Sequence, residues 1–304
     1  MKNILIGSRG SALALAQAKL VVHLLKKHTP TRQYRIVPIK TSGDTAHEKP
    51  AAPADNKNIF TQEIEDSLLN GEVDMAVHSM KDLTTDLPKG LAIAAVPERA
   101  DHRDALISRS KQKLEKLPGG ARMGTSSPRR KTQLLAARGD LQIVEMHGNV
   151  DTRLRKLRSG QCDAIILAAA GLDRLGLEHH VTELLSTEIM LPAVGQGALA
   201  VESRESDDEI RDLLSHVEHA PTRRAIEAER AFARRLGANC RTPIAAYAKT
   251  TGGKLSIDGL VGSLDGRKVM RGRLVSDNPD ASKVGEELAD SLLTQGAQLV
   301  LEAQ

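Results

Sequence analysis

The sequence predicts an α/β protein with a smaller α+β part at its C-terminal end. Three observations point there. Short apolar runs alternate with amphipathic stretches over roughly the first half of the chain, the pattern of βαβ units and parallel sheets. That alternation breaks and restarts at Arg99, as expected for two such units in succession. The last third departs from it: Leu264-Asp265-Gly266 separates two strand-like runs, a hairpin signal, with helical stretches on either side.

In chain order, Lys2 to Ser8 reads as a strand. Ser11 caps an Ala/Leu-rich helix that runs to about Lys27. Arg9 falls in the turn between them, on the ligand side of a βα unit. Tyr34 to Ile39 is a second strand. Thr41 to Asn58 is polar, holds two prolines and shows no period, so it reads as a mobile loop and candidate lid. A helix from about Thr61 to Asn70 places Ile64 and Leu68 on one face, and Gly71 stops it. Val73 to Val77 is a buried strand, and Leu91 to Val96 is another.

After Arg99, Ala105 to Ile107 is a short strand, and Lys111 to Gly120 is a loop with a helical turn. Gly124 to Arg130 leads into a helix that ends near Gly139. Leu141 to Met146 is a strand, Asp151 to Ser159 a helix and Asp163 to Ala168 a strand. Leu191-Pro192-Ala193-Val194-Gly195-Gln196-Gly197 is a natural crossover between domains, and Leu199 to Glu202 is a further strand. Pro221 to Leu236 is an Ala/Arg/Glu-rich helix, followed by an irregular loop around Cys240. Leu255 to Ser263 and Arg267 to Val275 form the hairpin, Ser282 to Leu293 is a helix, and Gln298 to Leu301 reads as a strand.

The chain of 304 residues is 40% hydrophobic and 27% charged, an ordinary soluble balance with room for two or three domains. No apolar run approaches the roughly 18 residues of a membrane span. The start, Met1 to Arg9, has too short an apolar stretch for a secretion signal, so a cytoplasmic location is expected. Two cysteines, Cys162 and Cys240, are too few for a disulfide framework. Neither they nor the histidines show metal-ligand spacing, so no metal is expected. The net charge of +4 sets 43 basic residues against 39 acidic ones. With no Trp, two Tyr and two Phe, the chain lacks the stacking platforms of single-strand nucleic-acid binders. A small polycarboxylate or phosphate suits its arginine clusters at least as well.

Four stretches carry chemistry. In Val73-Asp74-Met75-Ala76-Val77-His78-Ser79-Met80-Lys81-Asp82 an apolar strand turns abruptly polar. Strands of open α/β sheets point their carboxyl ends at the ligand crevice. Ser79, Lys81 and Asp82 therefore stand where a substrate would sit; the bland alternative is a polar strand-to-loop transition with a surface ion pair. Ser127-Pro128 is a strong helix start, and the amides of Thr125 to Ser127 with Arg129 and Arg130 suit an anion. The alternative there is a capped helix with a solvated basic face. Arg153 and Arg174 join Arg9 only if the strand ends converge. Cys240 has Arg241 beside it and Arg234 and Arg235 close by, which favours a thiolate; a small buried residue is the commoner fate of a free cysteine.

Taken together these runs resemble the porphobilinogen deaminase (hydroxymethylbilane synthase) family over essentially the whole chain. The resemblance is carried by Ser8-Arg9-Gly10-Ser11-Ala12-Leu13-Ala14, His78-Ser79-Met80-Lys81-Asp82, Gly124-Thr125-Ser126-Ser127-Pro128-Arg129-Arg130, Ala169-Ala170-Gly171-Leu172-Asp173-Arg174-Leu175-Gly176, Leu191 to Gly197, and Asn239-Cys240-Arg241-Thr242-Pro243-Ile244. All six in this order are very specific. The family implies two periplasmic-binding-protein-like domains with a cleft between them, plus a small C-terminal α+β domain. The corresponding divisions are 1–97 with 198–216, 98–197, and 217–304.

The resemblance implies a transferase of porphyrin and heme biosynthesis, expected as a monomer without nucleic-acid or membrane partners. Such enzymes condense four porphobilinogen molecules head to tail, lose ammonia and release hydroxymethylbilane. They use a dipyrromethane primer held by a thioether, here on Cys240. Asp82 matches the family carboxylate that stabilises the cationic pyrrole and manages protons. Ser79, Lys81, Asp82, Thr125, Ser126, Arg129, Arg130 and Arg153 match cofactor contacts. Arg9, Ser11, Lys57, Phe60, His147 and Arg174 match substrate contacts. Three positions depart from the family pattern. His147 replaces the usual Arg before Gly-Asn, with a shorter and only partly charged side chain. Asn56 and Asn58 replace glycines around Lys57. Ala238-Asn239 replaces Gly-Gly before Cys240. A two-lobed anion-binding protein is the competing class, although it needs neither Cys240 nor a third domain. A nucleic-acid-binding protein is a more distant one.

Overall fold

The computed structural model describes residues 3–43, 60–239 and 242–302. Most of the expected loop from Thr41 to Asn58, with Lys57, lies outside the described residues, as does Cys240. The chain divides into two compact units, 1–100 with 198–223, and 101–197 with 224–304.

In the first unit the chain runs β1 (Ile4–Arg9), α1 (Ala12–His28), β2 (Tyr34–Ile39), α2 (Gln62–Leu69), β3 (Met75–Ser79), a 3-10 turn (Met80–Asp82) and β4 (Leu91–Ala95). Ser11 caps α1 by accepting from the Ala14 amide, and Lys26, Lys27 and His28 face the negative end of its dipole. β1 pairs in parallel with β2 and with β3.

The second unit opens with β5 (Asp104–Ser108), a 3-10 turn (Leu114–Lys116) and β6 (Arg122–Gly124). It continues through α3 (Pro128–Ala137), β7 (Gln142–Val144), α4 (Val150–Arg158), β8 (Ala164–Ala168), α5 (Ala169–Asp173) and β9 (Glu183–Leu184). Its sheet has the order β7-β6-β8-β5-β9. β6 is parallel to β7 and β8, while β5 runs antiparallel to β8 and β9. Alternation along β5 and β8 builds a core on each face. Leu106 and Ile166 meet Leu134 of α3, whereas Ile107 and Ile165 meet Leu154 and Leu157 of α4.

The chain then returns to the first unit with β10 (Leu199–Arg204) and α6 (Asp208–Ser215). β10 inserts between β3 and β4, antiparallel to both, completing the order β2-β1-β3-β10-β4. Each of the two sheets is therefore mixed, not purely parallel. One face buries Ile6, Met75 and Val77 under Ala18, Val21 and Leu25 of α1, with Leu213 and Leu214 of α6. The opposite face packs Ala76 and Val73 against Ile64 and Leu68 of α2.

The final stretch is α7 (Ala220–Arg235), β11 (Ile244–Thr251), β12 (Lys254–Gly262), β13 (Val269–Ser276), α8 (Ala281–Thr294) and α9 (Ala297–Glu302). The three strands form an antiparallel sheet in sequence order. Phe232 of α7 is fully buried among Ile257, Val284 and Leu288. α8 crosses α7 with backbones almost touching: a Cβ on Gly285 would stand 2.1 Å from the Ala228 carbonyl oxygen. Within this unit the β12–β13 hairpin rests on α3. Thr132 Oγ1 donates to the Ser263 carbonyl at 2.8 Å. Gly266, at φ +72°, brings its backbone so near that a Cβ would be 2.7 Å from Thr132 O.

One expected element differs in kind: residues 298–301 belong to helix α9, not to a strand. Gly296, at φ +100°, breaks the chain after α8. Ala297 and Val300, three apart, then turn one apolar face to the core.

Candidate active site

The first unit gathers its polar groups at the C-terminal ends of β1 and β3. Arg9 closes β1, and its guanidinium carbon stands 4.3 Å above the Phe60 ring, a cation–π contact. Ser11, two residues on, is the helix cap already described. Ser79 ends β3 with its hydroxyl accepting from Gln17 Nε2 at 2.8 Å, and Gln17 is itself buried in α1. The chain then bends through the 3-10 turn. Met80 plugs the core while its amide donates to the Ala198 carbonyl. Lys81 and Asp82 are exposed. The ends of β1, β3 and α1 thus bring Arg9, Ser11 and Ser79 near the turn that carries Asp82. Gln17 is a partner that the sequence reading lacks; only its place on the face of α1 shared with Ala14, Ala18 and Val21 hints at it.

The second unit holds the helix start. Ser127 accepts from the Arg130 amide, and Pro128 occupies the first turn of α3. Thr125 is buried and accepts from the Ser127 amide at 3.2 Å. The Ser126 hydroxyl accepts from the Met146 amide at 2.8 Å and lies 3.2 Å from His147 Nε2. His147 is well exposed.

Arg129 and Arg130 are buried, not solvated, and both reach Asp104. Arg129 Nη1 donates to Asp104 Oδ2 at 2.7 Å and to the Leu191 carbonyl at 2.8 Å. Arg130 Nη2 and Nε both donate to Asp104 Oδ1, at 2.6 and 3.0 Å, and its Nη1 donates to the Ile166 carbonyl. Burial alone would raise the Asp104 carboxyl, but the two guanidiniums hold it well below the usual carboxylate range. One carboxylate faces two guanidiniums, so the trio keeps a net positive charge. Asp104 is the residue that the sequence reading misses. Its signal is a carboxylate leading directly into the apolar run Ala105-Leu106-Ile107, since a buried charge needs a partner.

Arg153 of α4 and Arg174 after α5 differ: among the described residues neither pairs with a carboxylate in this way. Arg153 Nε donates to the Gly148 carbonyl at 2.7 Å. Burial, with the charge of Arg130, pushes it down to about 10, so it remains a cation at neutral pH. Arg174 Nη2 donates to the Gly197 carbonyl at 2.8 Å, and burial pushes it too down to about 10. Its Nε is buried without an acceptor among the described residues. Such cations suit carboxylate ligands with bidentate geometry. Among the described residues no cluster of His, Cys, Asp and Glu is arranged to hold a metal, and no helix is long and apolar enough to cross a membrane.

Comparison with known proteins gives a consistent result. The family model "Porphobilinogen deaminase, dipyromethane cofactor binding domain" matches residues 4–212, and "Porphobilinogen deaminase, C-terminal domain" matches residues 224–294. A porphobilinogen deaminase of Syntrophus aciditrophicus is 48% identical over 98% of this chain and 97% of that protein. One from Syntrophomonas wolfei is 48% identical over 99% and 98%. Among solved structures, the methionine binding protein MetQ aligns with a TM-score of 0.45 at 12% identity, covering 71% of this chain and 88% of that one.

Proposed function

The chain belongs to the porphobilinogen deaminase family, and on that footing we propose that Cys240 anchors its dipyrromethane primer and Asp82 serves the reacting carbon. The family's reaction joins porphobilinogen units into hydroxymethylbilane. One structural observation supports the assignment of residues: Arg153 and Arg174 are half-buried cations with no carboxylate ion pair among the described residues, and Arg129 and Arg130 share only one. Each pyrrole of the primer and of the growing chain bears an acetate and a propionate, so the ligand brings the anions that these arginines lack. The residues therefore fit the cofactor.

When bound, dipyrromethane supplies the free pyrrole carbon onto which new units are added. Thr125, Ser126, Arg129, Arg130 and Arg153, with Ser79 and Lys81, hold its carboxylates and orient it. Arg9, Ser11, Arg174 and His147 bind the carboxylates of the incoming substrate, and Lys57 and Phe60 shield it. Porphobilinogen loses its amine as ammonia when the C–N bond breaks, leaving a methylene-pyrrolenine cation. The Asp82 carboxylate stabilises that cation, accepts from the pyrrole N–H and takes up the proton lost on recombination. Gln17 fixes the rotamer of Ser79 beside this turn.

The C-terminal sheet with α7 and α8 has its own core, which supports a separate cofactor-carrying domain over 217–304 beside divisions at 1–97 with 198–216 and 98–197. A cytoplasmic monomer acting on porphobilinogen, without nucleic-acid or membrane partners, completes the proposal. The test is the intact mass of the purified protein with peptide mapping around Cys240. An excess of two linked pyrroles on Cys240 is expected. A chain that stays unmodified after incubation with porphobilinogen would overturn the anchor and favour a binding protein.

A further inference from the structure

Directly behind the reacting turn lies a buried polar trio that the chemistry above does not use. His78 of β3 places Nε2 3.1 Å from Glu202 Oε2 of β10, with the two side chains 3% and 0% exposed. Glu65 of α2 is also buried, and the charges of Glu202 and His78 both act on it. Neither carboxylate oxygen of Glu202 has a well-directed hydrogen bond among the described residues. Three titratable side chains in an apolar layer are costly unless they answer one another.

Their placement follows from strand alternation. Ser79 points to the α1 face, where Gln17 holds it. His78 points to the α2 face, as Ala76 does, and meets Glu202. The last two residues of β3 are thus fixed by a polar contact on each side of the sheet, immediately before Lys81 and Asp82. β10 reinforces this: its register sets Leu199 opposite Ser79 and Ala200 opposite His78.

We propose that Glu202 is a positioning residue for the deaminase reaction: through His78 it fixes the end of β3 that carries Ser79, Lys81 and Asp82, and Glu65 closes the trio from α2. This rests on the function proposed above. Arg204, two residues beyond Glu202 on the same face of β10, donates to the Leu68 and Val73 carbonyls and pairs with Asp207 and Asp74, while Glu63 of α2 accepts from the Ser42 amide. Asp66 on α2 adds a negative field at Glu65. β4 is apolar throughout, and the charge of β1, Arg9, lies against Phe60. When Glu65 ionises, a second buried negative charge acts on Glu202 and His78, so the alignment of the turn depends on pH.

The experiment is steady-state turnover of porphobilinogen by the primer-loaded protein between pH 5 and pH 9, for wild type, Glu202→Gln, His78→Gln, the double variant and Glu65→Gln. Glu202→Gln and His78→Gln should each lower kcat about tenfold, more than they raise KM, and the double variant should lose no more than the worse single one. Additive losses, or unchanged kcat and pH profiles, would overturn the proposal. Glu65→Gln keeps the side-chain shape and removes the second ionisation, so its kcat profile should lack one proton step seen in wild type; a superimposable profile would also overturn it, even where the other variants fail to fold. Failure of the wild-type protein to turn over porphobilinogen would instead refute the function on which the proposal rests, and so separates the two.

Discussion

Arg130 Nη2 donates to Asp104 Oδ1 at 2.6 Å, and both side chains are essentially out of solvent. Arg129 completes the arrangement on the other carboxylate oxygen. This ties β5 to the first turn of α3 and decides how the two guanidiniums are held before any ligand arrives. Asp104→Asn leaves two buried guanidiniums without their counter-charge. Breaking a buried ion pair from one side costs roughly 3–5 kcal/mol, which urea unfolding will read directly. The sign with pH follows from the depressed carboxyl. Its contribution is fully present above the ordinary carboxylate value of 3.8, declines as pH falls from there, and is gone once pH has passed through the lower folded value. The gap between wild type and variant should therefore be constant above pH 4, begin to narrow below it and close only in stronger acid.

Gly285→Ala tests the C-terminal core. A Cβ there would meet Ala228 O at 2.1 Å and the Phe232 amide nitrogen at 3.0 Å. Both are helix backbone, so α8 must slide off α7 rather than a side chain rotate. The expected loss is about 3 kcal/mol or more, at the high end for overpacking because no rotamer relieves it. It should appear as a lowered Tm for the cysteine-bearing part of the chain. A melting curve matching wild type would show that the helices tolerate separation.

Asp82→Asn addresses the chemistry with little effect on the fold. Asp82 is exposed at the end of the 3-10 turn, so stability should stay within about 0.5 kcal/mol of wild type. Turnover should fall by about a hundredfold or more, the usual scale for losing a positioned acid–base group. The dipyrromethane mass on Cys240 should remain. Near-normal turnover would remove Asp82 from the catalytic role.

The sequence exposes those elements whose local chemistry agrees with the fold. The Ser11 and Ser127 caps, the Pro128 helix start, the Asp265-Gly266 turn and the apolar strands are local signals, and the structure has an element at each. What escapes is non-local. β11 is rich in Ala245, Ala246 and Ala248, poor strand formers, and exists because it pairs along its whole length with β12. The short helix α6, capped by Asp207, is hidden in a charged stretch and is fixed by Ile210, Leu213 and Leu214 on the sheet. At the candidate site, the residue types and their order are legible. That Arg129 and Arg130 turn inward is not, because Asp104 lies 25 residues from Arg129 and no helical or strand period links them.

Glu65 gives the clearest pH signature in the first unit. Its carboxyl is raised from its ordinary value of 4.5, first by burial and then by the negative charge of Glu202. A carboxyl raised on folding is favourable to the native state only while protonated. Below 4.5 it is protonated in both states and burial carries no charge penalty. As pH rises from there to the folded value, the unfolded chain ionises and the native one does not, so stability declines; above the folded value the loss is constant. Glu65→Gln has a similar shape and cannot ionise. The difference in unfolding free energy between variant and wild type should therefore be flat below pH 4.5, rise in favour of the variant above it and then level off. Denaturant titrations at several pH values measure it. A flat difference throughout would mean that Glu65 titrates alike folded and unfolded.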